Sequence, residues 1–584
     1  MPGSDNSIQN DPTILLCTSC KINILPTCSF PSVALTTLRM NHTPSDIDIA
    51  RTMAVLQEER EMQSYDEEIQ RVRRVMERLE VEKEMLNQKM EERRSWLAPI
   101  RRLPVEILGK IFVEVANFRN YAFAIHHNHV EAVALVISQV SSHWRNVAFE
   151  LQSIWSSIHL TLRKMTSDVT PLLQMHIENA ATHPLSIFID NVNEVVTTAL
   201  TIAQLQELIG MHGFRFLQML VGHFSRSKTI EMRYISSDFL SYTVQESTSF
   251  PILRSFSCIS GGEDITPHDT YFWNAICTAP VLRHIQVDKV TYWMGAGGNR
   301  VPWGQLRSLY IHALERYTDF RFIITHCPQL ETLEVSEASF SRGPEGFSWG
   351  DTIEPVELPS LRKLDIGGVT SDDYYSALAS LILPSLKTLH TGTDGPYGEV
   401  SVRQDLQSLV SLVQRSSCAL TELHLYPISS TLTQTSFTLL LKVLELLPCL
   451  EYLLVFMRPR NESTTENSNA VNDPFTPRLF SLLSLSPSRS RTLLPRLNDL
   501  QLHEHSAFDV SCLDAILDTV EERTGPRLNA AKRPDVSALK NVFICTKISC
   551  WQCPEERLPP VVEERVATLE RNGTKCNIVF DFEL

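Results

Sequence analysis

One short pattern recurs through most of this chain: a leucine, two residues, an aliphatic residue, one residue, and a second aliphatic. The instances are Leu253/Phe256/Cys258, Leu282/Ile285/Val287, Leu306/Leu309/Ile311, Leu330/Leu333/Val335, Leu361/Leu364/Ile366, Leu386/Leu389/Thr391, Leu420/Leu423/Leu425, Leu450/Leu453/Val455, Leu497/Leu500/Leu502 and Leu539/Val542/Ile544. Their first leucines are separated by 29, 24, 24, 31, 25, 34, 30, 47 and 42 residues. A unit of that size cannot bury its own apolar face. Neighbouring units must stack, so that one continuous core runs through all of them.

The spacing is that of leucine-rich repeats, with loops inserted in the last two units. Within each element the leucines alternate with polar residues, so they point to one side of a strand and their neighbours to the other. Apolar stretches at helical period lie between the strands, at 320–325, 375–383, 406–413, 437–447 and 513–520, so each unit reads as strand then helix. Ile158-His159-Leu160, 185–189 and Ile230-Glu231-Met232 read as strands of degenerate opening units. The residues flanking the second leucine should line an open wall: Ser308 and Tyr310, Thr332 and Glu334, Lys363 and Asp365, Thr388 and His390, and Glu422 and His424. Their mixture of charge signs and an aromatic fits a protein ligand, and they are the substrate-binding candidates.

Ahead of the repeats the period changes. Thr43 and Pro44 open a helix, and from 55 to 97 a heptad seam runs through Val55, Glu58, Met62, Tyr65, Ile69, Val72, Met76, Leu79, Lys83, Leu86, Met90, Arg93 and Leu97, mostly apolar from Met62 to Met90. Such a helix would extend roughly 65 Å, too long to be stable without a partner surface. Lys83 falls on the seam, and in a parallel dimer Glu68 would attract Arg73 while Glu61 met Asp66 and Lys89 met Arg94. Weak self-association through 55–97 is the expectation; a solvated helix, or one folded back on the repeats, is the competing reading. Pro99 ends the helix.

Next come Leu103-Pro104-Val105-Glu106-Ile107-Leu108-Gly109-Lys110-Ile111-Phe112 and then Val140-Ser141-Ser142-His143-Trp144-Arg145, with Ile154-Trp155 following. Pro104 and Glu106 are a helix start, and Ile107, Leu108, Ile111, Phe112 and Val115 make an apolar stripe. Val140, Trp144, Val147 and Leu151 repeat that spacing on a second amphipathic stretch. These residues resemble an F-box, whose pattern is Leu-Pro-x-Glu-Ile-Leu-x-x-Ile-Phe, then Val-Cys-x-x-Trp-Arg, then Leu-Trp. Ser141 stands where the family has Cys, and residues 117–129 lengthen the gap. The run 172–189, with His183-Pro184-Leu185-Ser186-Ile187, resembles the segment that follows the F-box in the large mushroom F-box families. The resemblance implies a three-helix domain that binds a Skp-type adaptor and through it a cullin complex. Its adaptor-facing residues would be Leu103, Pro104, Ile107, Leu108, Val140 and Trp144.

Composition narrows the remaining choices. Apolar residues at 43% and charged residues at 21% are those of a folded protein. A net charge of −15 argues against nucleic-acid binding. No apolar run is long enough to span a membrane, and the first residues lack a secretory pattern, so a cytoplasmic or nuclear protein is expected. The 13 cysteines mostly sit in apolar contexts and are expected to be reduced.

Other signals are weaker. Cys17/Cys20/Cys28 and Cys545/Cys550/Cys553/Cys576 lack the ligand pairing of a zinc site. His126, His127 and His129 read as loop polarity, and His503-Glu504-His505 as a strand end. Gly346-Phe347-Ser348-Trp349-Gly350 carries the hydrolase pentapeptide without the strand and helix that make it a nucleophile elbow. No catalytic residue, cofactor or metal is therefore expected.

The combined expectation is an α + α/β chain: a tail at 1–42, a coiled-coil helix at 43–98, and a three-helix F-box at 99–157. A leucine-rich repeat α/β solenoid would occupy 158–550, with a mobile loop at 458–490, and a C-terminal segment or cap would occupy 551–584. The implied function is substrate recognition in an SCF-type E3 ubiquitin ligase, against the alternative of a coiled-coil and repeat scaffold without a ubiquitin link.

Overall fold

A computed structural model describes residues 45–118, 121–126, 129–191, 202–234, 248–259, 271–289, 301–338, 354–367, 374–392, 399–429, 434–458, 475–485, 492–507, 510–530, 535–547 and 560–580. The tail at 1–42, the tract 459–474, the pentapeptide around Ser348, and Cys17, Cys20, Cys28, Cys550 and Cys553 lie outside them. The chain divides into two compact units, Met1–Leu103 and Pro104–Leu584.

In the first unit a single helix runs over Asp46–Leu97, followed by a 3-10 turn at Pro99–Arg102. Met62, Ile69, Met76, Leu79, Leu86, Met90 and Leu97 of the heptad seam are exposed. Glu68 is held within its own helix by Arg71, with Oε2 accepting from Nε at 2.9 Å.

In the second unit the described residues form one mixed α/β body. Its main sheet has 16 strands. They are β1 (Phe123–His126), β2 (His129–Ala132), β3 (Ser157–Thr161), β4 (Leu185–Asp190), β5 (Ser227–Arg233), β6 (Ser255–Ile259), β7 (His284–Lys289), β8 (Ser308–Leu314) and β9 (Thr332–Ala338). After a short β10 (Val356–Glu357) come β11 (Lys363–Ile366), β12 (Leu381–Ile382), β13 (Thr388–Gly392), β14 (Glu422–Ser429), β15 (Tyr452–Arg458), β16 (Asp499–Ala507), β17 (Asn541–Lys547) and β18 (Lys575–Phe580). β10 and β12 pair only with each other. From β3 onward each remaining strand lies beside its predecessor in the sheet, β3 itself pairs with β1, and every pairing is parallel except β1 with β2, which closes one edge as an antiparallel hairpin.

The leucine positions set this arrangement. The first leucines of the repeat, from Leu253 to Leu539, are all buried, as are the second and third positions that follow them. The backbone N–H just after each first leucine donates to its counterpart one repeat earlier. Examples are Glu331 to Arg307 at 2.7 Å, Lys387 to Arg362 at 2.8 Å and Lys540 to Asn498 at 2.7 Å. A parallel sheet covered on both faces would show continuous apolar runs; these strands alternate buried with half-buried, so one face is left open.

Helices at Tyr317–His326, Glu399–Ser416, Gln434–Glu445 and Val510–Glu522 follow strands as the periodicity requires. Two arginines tie helix ends to neighbouring backbone: the exposed Arg415 donates from Nη2 to the Leu378 carbonyl at 3.1 Å, and the buried Arg523 from Nη2 to that of Leu494 at 2.9 Å.

Four boundaries differ from the sequence reading. The insertion at 117–129 contributes the end of the helix Val105–Phe118, then β1 and part of β2, and β1 pairs in parallel with β3. The helices near residue 100 also share one hydrophobic core with the repeats, because Leu108, Phe112, Val147 and Trp155 belong to the same buried cluster as Ile158 and Leu185. Inside 458–490 lies a helix, Phe475–Leu483, whose Leu479, Phe480 and Leu483 are buried. Residues 560–580 form one more helix, Pro560–Arg571, and β18, so the sheet continues past 550.

Candidate functional site

Two surfaces of the second unit hold the residues singled out by sequence. The first is a group of three helices, Val105–Phe118, Val133–Gln139 and Ser142–Glu150. Pro104 stands one residue before the first of these, and its carbonyl accepts from Leu108 N at 3.0 Å. Ser141 accepts from Trp144 N at 3.1 Å and so caps the third helix, which accounts for a hydroxyl where the F-box pattern has a thiol. Val140 lies in the turn between the second and third helices instead of on the third.

This geometry divides the adaptor-facing candidates. Pro104 is exposed, Ile107 is 41% exposed and Val140 59%, with Val105, Val115 and Val136 exposed on the same helices. Leu108 is 0% exposed and belongs to the core, so it is withdrawn as a contact residue. The helical stripe has two edges, and Leu108 faces inward with Phe112. Trp144 is half-buried against Phe112, their ring centroids 5.0 Å apart. Leu103 is half-buried and ends the first unit.

The second surface is the open face of the sheet. Here all the predicted wall residues come together, in two rows set by the register. Ser308, Thr332, Lys363, Thr388 and Glu422 are successive partners in one row. Tyr310, Glu334, Asp365, His390 and His424 form the other. All are half-buried. Charges alternate closely enough to pair: Lys363 Nζ donates to Glu334 Oε1 at 2.8 Å, and His390 Nδ1 lies 2.7 Å from Asp365 Oδ2. Tyr310 Oη is 2.7 Å from Ser336 Oγ.

Sequence reasoning missed the continuation of this face. His390 stacks on His424, His424 on Tyr452 at 5.0 Å, and Phe456, His503 and Phe543 follow at 5.3 and 5.1 Å. The residues were visible as the polar or aromatic partner of each repeat leucine, but the long insertions before β16 and β17 hid their register. His503 therefore belongs to the face, and the side chains of Glu504 and His505 lie outside the described residues.

Burial and charge tune the groups at the centre. Burial opposes the charge on Glu422, yet the hydrogen bonds and charge from His424, the Thr388 hydroxyl and His390 outweigh it, and the carboxyl titrates below its ordinary range. Burial, helped by the charge of His390, holds His424 below the ordinary imidazole value against the pull of Glu422. Near neutral pH this pairs an anionic Glu422 with a neutral His424. Tyr452 is pushed up to about 12 by burial and by Asp499, and stays a neutral phenol.

Among the described cysteines, Cys258, Cys327 and Cys576 are buried, and burial pushes each thiol up to about 12, which leaves them unreactive. No known family model and no curated protein matches this chain. No helix among the described residues is long and apolar enough to cross a membrane.

Proposed function

We propose that this protein is a non-catalytic substrate-recognition subunit of an SCF-type E3 ubiquitin ligase. The three helices near residue 100 would dock a Skp-type adaptor and so join a cullin complex, while the open face of the sheet holds a protein substrate. The observation that carries this reading is the exposure of Ile107 and Val140, together with Val105, Val115 and Val136, on a module whose Leu108, Phe112 and Val147 are packed away. A folded surface that keeps large aliphatic groups in water is commonly a contact site.

On the open face, the mixture of Lys363, Asp365, Glu422, Tyr310 and the histidines suits a folded protein or peptide, with rim charges setting orientation and the aromatic groups supplying contact area. Catalysis would then come from holding a substrate near a ubiquitin-charged enzyme elsewhere in the complex, which raises effective concentration without chemistry by this chain.

The test is capture of a purified Skp-type adaptor by the full-length protein and by the double variant Ile107→Asp with Val140→Asp. Both positions are at the surface, so thermal unfolding should be unchanged while capture is lost. Equal capture by the two proteins would overturn the docking role.

The exposed heptad seam of Asp46–Leu97 favours a second role beside this one, weak self-association through 55–97. Sedimentation at rising concentration should show a dimer that disappears with Leu79→Glu and Leu86→Glu. A scaffold without a ubiquitin link would keep that dimer and its partners with 103–155 made unable to bind an adaptor.

A further inference from the structure

His390 on β13 and Glu422 and His424 on β14 point three donor atoms at one spot. His424 Nε2 is 2.8 Å from Glu422 Oε1, and His390 Nε2 is 3.6 Å from the same oxygen. One ligand atom from each of the three residues lies within 4.8 Å of the other two.

The atoms facing away from that spot are each held by an outer partner. Asp365 Oδ2 lies 2.7 Å from His390 Nδ1, Thr388 Oγ1 donates to Glu422 Oε2 at 3.2 Å, and Tyr426 Oη is 3.3 Å from His424 Nδ1. A carboxylate only accepts, so the contact with Asp365 places a proton on His390 Nδ1 and points Nε2 at the cluster. That nitrogen is shielded from water and makes no hydrogen bond among the described residues. Both Nε2 atoms thus face the same carboxylate oxygen. The Lys363 ammonium is taken by Glu334.

We propose that His390, Glu422 and His424 bind a divalent transition-metal ion, zinc fitting best, through the two Nε2 atoms and Glu422 Oε1. Two imidazoles and one carboxylate form a borderline donor set that suits zinc and its neighbours, whereas calcium and magnesium require mostly oxygen. Tetrahedral zinc with bonds near 2.0–2.1 Å places its ligand atoms about 3.3 Å apart. The His424 contact therefore opens and the His390 contact closes, and the two rings, stacked at 3.7 Å with planes 21° apart, turn out of that stack so that both lone pairs aim at one ion. Asp365, Thr388 and Tyr426 are the outer partners that orient metal ligands in such sites. Three protein ligands leave a fourth position open toward solvent, for water or for a donor atom of whatever docks on this face.

The experiment titrates zinc into the full-length protein after removal of metals by chelator, with cobalt(II) as a spectroscopic substitute. Wild type should take up one ion that His390→Gln and His424→Gln each lose, with unfolding temperatures unchanged in the metal-free state. Asp365→Asn should retain the ion with affinity lowered about 10- to 100-fold. Because this variant keeps all three ligands, it decides the matter even if a histidine variant fails to fold. The cobalt spectrum should show nitrogen and oxygen ligation without thiolate charge transfer. Equal zinc uptake by wild type and His424→Gln, a thiolate band, or an Asp365→Asn affinity equal to wild type would each overturn the assignment. None of these results depends on adaptor binding, so failure of this site leaves the ligase reading standing, and the reverse also holds.

Discussion

Trp144 packs on Phe112 with ring centroids 5.0 Å apart and planes tilted by 55°. That contact joins the helix Ser142–Glu150 to Val105–Phe118 above a layer in which Leu108 and Phe112 are sealed. Folding and docking therefore depend on different side chains of one short motif. Leu108→Ala should lower stability by about 2–5 kcal/mol, the usual cost of emptying a leucine site in a core. Trp144→Ala should destabilise as well, through the lost aromatic pair. Ile107→Ala and Val140→Ala should each change stability by less than about 0.5 kcal/mol. Chemical denaturation of the four variants checks this; an equally large loss for Val140→Ala would place it in the core.

Gly392 lies opposite Tyr426 where β13 pairs with β14. A Cβ built at Gly392 would collide with the Tyr426 carbonyl oxygen and side chain, so the close approach of the two strands requires glycine here. Gly392→Ala should push β13 from β14 and disturb the stacking of His390 on His424. A stability loss of roughly 1–3 kcal/mol is expected. Amide hydrogen exchange should rise at β13 and β14 before it rises at β8 and β9. Uniform exchange in all four strands would show that the collision is relieved without opening the pair.

Much of this fold was legible because its period is local. The alternation in Leu330/Leu333/Val335 and its sister elements fixes which side chains turn inward, and stacking then brings Lys363, Asp365, His390 and Glu422 into neighbouring register without further information. Sequence separation concealed the rest. Glu422 and His424 are close in the chain, but Asp365 and His390 meet them only through two successive strand pairings, so their convergence could not be read from spacing. The side of a helix was equally ambiguous. Ile107 and Leu108 are adjacent apolar residues with opposite fates, and only the packing of Phe112, Trp144 and Trp155 beneath them separates the two. Residues 117–129 were misread as loop because β1 and β2 carry few repeat leucines, and pairing with β3 overrides that weak local signal.

Arg565 fastens the last helix to its neighbour. Its guanidinium reaches Asp514 at 3.0 Å, Asp518 at 2.5 Å and Glu521 at 2.9 Å, all on Val510–Glu522. Asp514 and Asp518 are largely exposed, so water screens much of the attraction and the set is worth on the order of 1 kcal/mol. Since β18 ends the sheet, Arg565→Ala should fray this end first. Limited proteolysis should release a fragment near the C-terminus, and high salt should narrow the difference from wild type. Identical cleavage of both proteins at low salt would rule out a fastening role.

The buried His176 and the half-buried Asp405 predict opposite responses to pH. His176 is enclosed by Phe123 and Trp155, with ring centroids 4.5 and 5.0 Å away. Burial pushes it down to about 4, against the smaller upward effect of the hydrogen bond between Nδ1 and the Leu172 carbonyl. Its folded value lies below the unfolded value of about 6.5, so the stability tied to its neutral form is complete above 6.5 and is lost as pH falls toward 4. The loss should reach at most about 3 kcal/mol, and His176→Leu should flatten this part of the profile. Asp405, with one carboxyl oxygen shielded from water, is pushed by burial up to about 8. Here the folded value lies above the unfolded one, near 4, so stability is complete below about 4 and falls as pH rises to 8. Asp405→Asn should therefore raise the unfolding temperature at pH 8 and change it little at pH 4. Unfolding temperatures of the three proteins from pH 4 to 8 check both arms. A wild-type curve that Asp405→Asn merely shifts by a constant amount would mean that Asp405 keeps its charge throughout.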